Sequence, residues 1–184
     1  MRYQFLLDTY ETEILKVTGV WGMFDDAGIR TRPRGDDPRG RNLLEHMIHQ
    51  CTSEDLWFKR MFGIAVVDNP LPAIESRAAF QEAYSTAAGL RLAALRAKPE
   101  GWWEEEAAFF DTARSRLWIM TRRLNHTAHH RGQQTALLRM LGAALHSTYG
   151  PTADTGGLPV NRALTIYAPA PLPGTGSKPS TERP

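Results

Sequence analysis

Apolar residues recur at intervals of three or four in four separate segments of the chain. In the first segment, residues 1–27, they are Phe5, Leu6, Tyr10, Ile14, Val17, Trp21 and Phe24. The same spacing predicts further helices over residues 42–61, 74–97 and 115–141. A helix of this kind buries one stripe of side chains, so the pattern predicts an all-α protein built as a four-helix bundle.

Proline, glycine and charge separate these segments. "IRTRPRGDDPRGR" follows the first helix, "GIAVVDNPLP" follows the second, and Pro99 and Gly101 break the chain after the third. Gly142 follows the last helix and predicts its C-cap. No strand pattern is visible, and the segment "WWEEEAAFFDTARSR" is predicted to be irregular. The long connections after residues 27 and 97 permit a topology other than simple up-down-up-down.

The end of the chain has a different composition. It is rich in proline and glycine, as in "YAPAPLPGTGSKPSTERP". Such a segment buries too little apolar surface to offset the entropy of ordering. We therefore predict one bundle domain over residues 1–160 and a largely disordered tail over residues 161–184.

The charge balance and the cysteine content exclude several classes of partner and site. The chain has 22 basic and 20 acidic residues, a balance that gives no reason to expect nucleic acid as a partner. Its single cysteine, Cys51, excludes a disulfide framework and a cysteine-based zinc site. No apolar run is long enough to span a bilayer, and the N-terminus turns polar too soon for a signal peptide. We expect a cytoplasmic protein that does not interact with membranes.

Three histidines crowd into five residues of the last predicted helix, and two of them share one face. A helix turns about 100° per residue, so His126 and His130 lie about 40° apart and can reach one point. A helical wheel places them in a stripe with Ile119 and Leu137, facing the bundle interior. Buried imidazoles need partners, which a metal, a carboxylate or trapped water would supply. His129 lies to one side of this pair.

The second predicted helix supplies two more histidines, His46 and His49. A third imidazole from this helix would complete a three-histidine metal site with open positions, the kind that activates water or a thiol. The apolar pattern of the helix does not select His49, because His46 lies nearer its apolar arc.

Gly132 lies inside the last predicted helix, where a glycine costs about 1 kcal/mol relative to alanine. We therefore expect a close neighbour at Gly132.

Taken together, "HTAHHRGQ" and "HQCTSEDLW" resemble the DinB/YfiT-like superfamily of metal-binding four-helix bundles. Its motif H-x3-H-R-G-Q is matched by His126, His130, Arg131, Gly132 and Gln133. In that superfamily the helix-two ligand typically precedes an acidic residue by five positions and an aromatic residue by eight. His49, Glu54 and Trp57 fit this spacing, whereas His46 does not. The resemblance covers roughly residues 1–142 and implies His49, His126 and His130 as the metal ligands.

The donor set and the resemblance together suggest a function but name no catalytic residue. Zinc or nickel suits three imidazoles best, with iron and manganese as further candidates. The resemblance implies a thiol-dependent transferase or detoxification enzyme that acts on a small molecule with a low-molecular-weight thiol such as bacillithiol or mycothiol. The alternatives are a metal-dependent hydrolase and a non-catalytic, stress-associated bundle whose metal is structural or absent. Exposed aromatic residues on the first helix predict a homodimer.

Overall fold

A computed structural model describes residues 2–148 and residue 154, and within them four long helices form a bundle. The elements in chain order are α1 (Gln4–Gly22), α2 (Leu43–Trp57), α3 (Arg77–Arg96), the short α4 (Glu100–Glu104), β1 (Glu106–Phe109), β2 (Thr112–Ser115) and α5 (Arg116–Met140). A 3₁₀ turn over Gly28–Arg30 precedes α2, and a π-helical turn over Phe58–Phe62 extends it. Helix α1 packs against α3 and α5, and α2 packs against α5. The predicted all-α bundle is confirmed.

Local sequence sets the ends of these helices. Asn42 caps α2 through a capping box: its side chain accepts from the Glu45 N–H, and the Glu45 carboxylate accepts from the Asn42 N–H. The Ser115 hydroxyl caps α5 in the same position. At the other end of α5, Gly142 has φ of +70°, and the N–H groups of Gly142 and Ala143 donate to carbonyls of the last turn. Helix α5 therefore ends where predicted, with Leu141 as the C-cap residue and the left-handed Gly142 directly after it.

The segment over residues 102–116 differs from its prediction. It is not irregular, because it contains the end of α4 and an antiparallel hairpin in which Glu106 pairs with Ser115 and Phe109 with Thr112. Phe110 lies at the tip of the hairpin with φ of 54° and is 71% exposed. Each strand has four residues, which is too few for alternation to reveal it.

The structure also bears on Gly132, on the exposed face of α1 and on the tail. Among the described residues, a Cβ placed on Gly132 would have no neighbour within 4 Å, so the expected close neighbour is absent. On α1, Phe5 is 58% exposed and Leu15 is 39% exposed, and the homodimer stays a prediction. The predicted tail, residues 161–184, lies outside the described residues. No helix in the described part of the chain is long and apolar enough to cross a membrane.

A buried carboxylate ties the bundle together. Glu54 of α2 is fully buried and accepts hydrogen bonds from Tyr10 of α1 at 2.6 Å and Tyr84 of α3 at 3.1 Å. It also pairs with Arg123 of α5 at 3.1 Å and with Arg91 of α3 at 3.4 Å. Burial, followed by the charge of Glu54, raises the pKa of both tyrosines well above 10, so their hydroxyl groups stay protonated donors. One side chain therefore links all four long helices of the described structure.

Glu54→Gln should destabilise the fold strongly, because it leaves the buried guanidinium of Arg123 without a carboxylate and leaves Arg91 with Asp55 alone. We expect the free energy of unfolding to fall by about 3–5 kcal/mol, as for other broken buried ion pairs. Urea denaturation measures it. Glu11→Gln is the matched control: it removes an ion pair with Arg96 that is about half exposed, and should cost under about 1 kcal/mol. Equal losses in the two variants would contradict the role given to Glu54.

Gly132→Ala should stabilise the protein. Gly132 lies inside α5, is exposed, and has room for a methyl group among the described residues. Alanine restricts the unfolded chain and favours helix, which predicts a gain of about 0.5–1 kcal/mol. Thermal denaturation of the metal-free protein measures this gain. A lower melting temperature would show that the glycine has a structural role at this position.

Candidate metal centre

The structure brings His49, His126 and His130 together at the contact between α2 and α5. The Nε2 atom of His130 lies 3.0 Å from Nε2 of His49 and 3.2 Å from Nε2 of His126. One ligand atom from each of the three residues lies within 4.8 Å of the other two. The two histidines of α5 are one turn apart, as their spacing predicted, and His49 faces them from α2.

These distances suit a single divalent cation. Imidazole nitrogens at about 2.0–2.1 Å from a tetrahedral metal are separated from one another by about 3.3 Å. The observed separations of 3.0 and 3.2 Å are close to that value. In the described part of the chain, the group contains three histidines and no fourth His, Cys, Asp or Glu. Such a donor set would leave coordination positions open.

A neighbouring amide sets the tautomer of His130. Its Nδ1 lies 2.9 Å from Oε1 of Gln133, and an amide oxygen can only accept. Nδ1 therefore carries the proton, and Nε2 presents its lone pair to the other two rings. Support of this kind is typical of histidines that bind metals. Nδ1 of His126, by contrast, is buried without a hydrogen-bond partner among the described residues.

The environment keeps these imidazoles neutral. Burial lowers the pKa of His126 to about 3, and the charge of Arg123 contributes to this shift. Burial also lowers the pKa of His130 to about 4, with a further contribution from His49. The pKa of His49 is lowered as well, again mainly by burial. Metals bind neutral imidazole, so the ligand atoms would be available at neutral pH.

The other two neighbouring histidines lie outside the group of three. His46 is buried, with its ring centre 5.7 Å from that of His130, and His129 is exposed on α5. The apolar pattern of α2 placed His46 nearer the core, and the structure agrees. The three-histidine group lies at the margin of the core, so His49 points away from the centre of the apolar stripe.

Aromatic side chains form one wall of the site. Trp57 stacks on His126, with ring centres 5.7 Å apart, and Phe109 of β1 meets Trp57 edge-on at 5.4 Å. Phe110 also approaches Trp57, with ring centres 6.2 Å apart. The sequence gave no sign of the hairpin that carries Phe109 and Phe110 here.

Comparison with known proteins agrees with this structure. The model of the DinB family matches residues 33–156, which is more than half of the chain. The structure of a DinB-like protein from Bacillus cereus ATCC 10987 superposes with a TM-score of 0.67 at 18% identity, covering 78% of this chain and 95% of that one. A search of curated proteins found no match. The family match and the shared fold confirm the resemblance seen in the histidine motif: the chain belongs to the DinB family.

Proposed function

We propose that this protein is a divalent-metal-dependent enzyme whose metal is held by His49, His126 and His130. The observation that carries this proposal is the convergence of three Nε2 atoms, 3.0 and 3.2 Å apart, with no fourth ligand among the described residues. Structural zinc sites normally have four protein ligands, whereas catalytic sites keep a position open. Three imidazoles favour zinc or nickel, with iron and manganese as further candidates.

The chain's own residues would orient the ligands and shield one side of the centre. Gln133 fixes the ring of His130 through the hydrogen bond to Nδ1. Trp57 stacks on His126 and excludes water from that side. When bound, a divalent cation in such a site lowers the pKa of a water or thiol that occupies an open position.

The single cysteine supports an external thiol as the nucleophile. Cys51 is 2% exposed, and burial raises its pKa to about 12, so it is a poor nucleophile and a poor ligand. A thiolate at the centre would have to come from a small-molecule substrate. We therefore favour a thiol-dependent transferase or detoxification reaction. The half-buried positions of His49 and His126 leave access for water, which keeps metal-dependent hydrolysis as the second candidate.

Metal content tests the ligand set. The purified chain, loaded with zinc or nickel and dialysed, should hold about one equivalent by elemental analysis. The double variant His126→Ala/His130→Ala should hold none. His49→Ala should weaken binding at least tenfold, because a lost ligand costs no less than a lost supporting contact. His46→Ala, the matched control on the same helix, should keep the metal.

Circular dichroism would establish that each of these variants is folded. The proposal fails if the folded parent binds no zinc or nickel. It also fails in its ligand assignment if His46→Ala loses the metal and His49→Ala keeps it. With metal bound, turnover of an electrophile that requires an added thiol would favour the transferase, and turnover without a thiol would favour the hydrolase.

The stability of the metal-free protein should fall on acidification. The folded-state pKa of His126 is about 3 and that of His130 about 4, both below the ordinary value of 6.5. The unfolded chain therefore binds more protons below pH 6.5, so the stability present above pH 6.5 is lost as the pH falls toward 4.

Urea denaturation between pH 7.5 and pH 4.5 measures this loss. The variant His126→Gln/His130→Gln should show a smaller drop over the same range, because its other titratable groups are unchanged. Parallel curves for parent and variant would mean that these two histidines are not held neutral by the fold.

A further inference from the structure

A cavity of about 470 Å³ lies beside the three-histidine group. Its polar lining comes from Arg39, Arg41, His46 and Gln133, and its apolar lining includes Ala136, Leu137 and Met140. The cavity therefore lies between the start of α2 and the last turns of α5. It has a polar part next to the candidate metal centre and an apolar part farther along α5.

Arg41 supplies an unused positive charge to this cavity. Its guanidinium has no hydrogen bond or ion pair within the described part of the chain, whereas Arg39, on the same cavity, forms two 2.8 Å contacts with Asp37. Arg41 also lies near the centre. After burial, its charge is the next largest cause that lowers the pKa of His49, and it contributes to the lowered pKa of His130.

Gln133 supplies a second hydrogen-bond donor to the cavity. The Oε1 atom of Gln133 faces His130, so its amide NH₂ group is directed elsewhere and has no partner among the described residues. A carboxylate oxygen in the cavity could accept from this amide.

We propose that this cavity binds the carboxylate of a small organic acid, with Arg41 as the charge partner and Gln133 as the second donor. Guanidinium and amide N–H groups match the planar, two-oxygen acceptor of a carboxylate. Arg41 offers one positive charge that no described carboxylate neutralises, whereas Asp37 neutralises Arg39, and one charge suits a monoanion better than a phosphate dianion. The apolar lining would accept a short aliphatic stem.

This inference deepens the proposed function by naming a substrate class. Gln133 contacts both the cavity and His130, so an acid bound through Arg41 would lie next to the three-histidine group. The reacting group would then lie close to the carboxylate, at the end of the molecule that faces the centre. Only this last step rests on the proposed metal centre, because the cavity's charge and donors belong to the metal-free chain.

The test uses hexanoate and its uncharged analogue hexanamide on the metal-free, full-length protein. NMR titration of ¹⁵N-labelled side chains, Arg41 and Gln133 included, gives the affinities. We expect hexanoate to bind about ten to a hundred times more tightly than hexanamide, because charge-assisted hydrogen bonds usually strengthen binding by about that factor. Arg41→Gln should remove that preference. Arg34→Gln, the matched control, removes an exposed arginine of the same loop that does not line the cavity and should leave it unchanged.

Three results would overturn the inference: equal binding of hexanoate and hexanamide, a preference that survives Arg41→Gln, or inorganic phosphate binding as tightly with the same Arg41 dependence. The metal assay separates this inference from the proposed function. Hexanoate binding that depends on Arg41 in a chain that takes up no metal would support the carboxylate site and reject the metalloenzyme. Metal uptake by a chain that does not bind hexanoate through Arg41 would support the metalloenzyme and reject the carboxylate site.

Discussion

The buried carboxylate of Glu54 is the interaction on which the rest of the structure depends. It is fully enclosed and holds donors from α1, α3 and α5 against α2. The same contact fixes the register of the candidate centre. Glu54 lies five residues after His49, and Arg123 lies three residues before His126. The 3.1 Å pair between Glu54 and Arg123 therefore sets the two helices so that their histidines meet one to two turns farther along.

Polar layers continue along the contact between α2 and α5. Next to the histidines, the side-chain amide of Gln134 donates to that of Gln50, and both residues are fully buried. Apolar side chains alone would hold these helices together with less dependence on register, since hydrophobic contacts are non-directional. The ion pair, the histidines and the amide pair between α2 and α5 can form together in only one register of the two helices. That register places the three Nε2 atoms together. The fold and the candidate site thus depend on the same contact between α2 and α5.

Much of this could be predicted from the sequence, because the relevant signals are local. Periodicity located the four long helices, and Gly142 marked the end of the last one. Spacing alone paired His126 with His130, since residues four apart share a helix face. The choice of His49 over His46 came from family spacing, because the site lies off the apolar stripe of α2. The hairpin could not be predicted, nor could the lack of a partner for Arg41 among the described residues, since both depend on how distant segments meet. The expected neighbour of Gly132 was wrong for the same reason.

The central claim is an open centre of three imidazoles, and X-ray absorption at the zinc edge of the zinc-loaded protein tests it most directly. The structure predicts three imidazole nitrogens at about 2.0–2.1 Å, one or two further oxygen scatterers from water, and no sulfur at about 2.3 Å. A His49→Ala variant should lose one imidazole from this shell. A shell with sulfur, or with fewer than three imidazoles in the parent protein, would contradict the assignment of His49, His126 and His130.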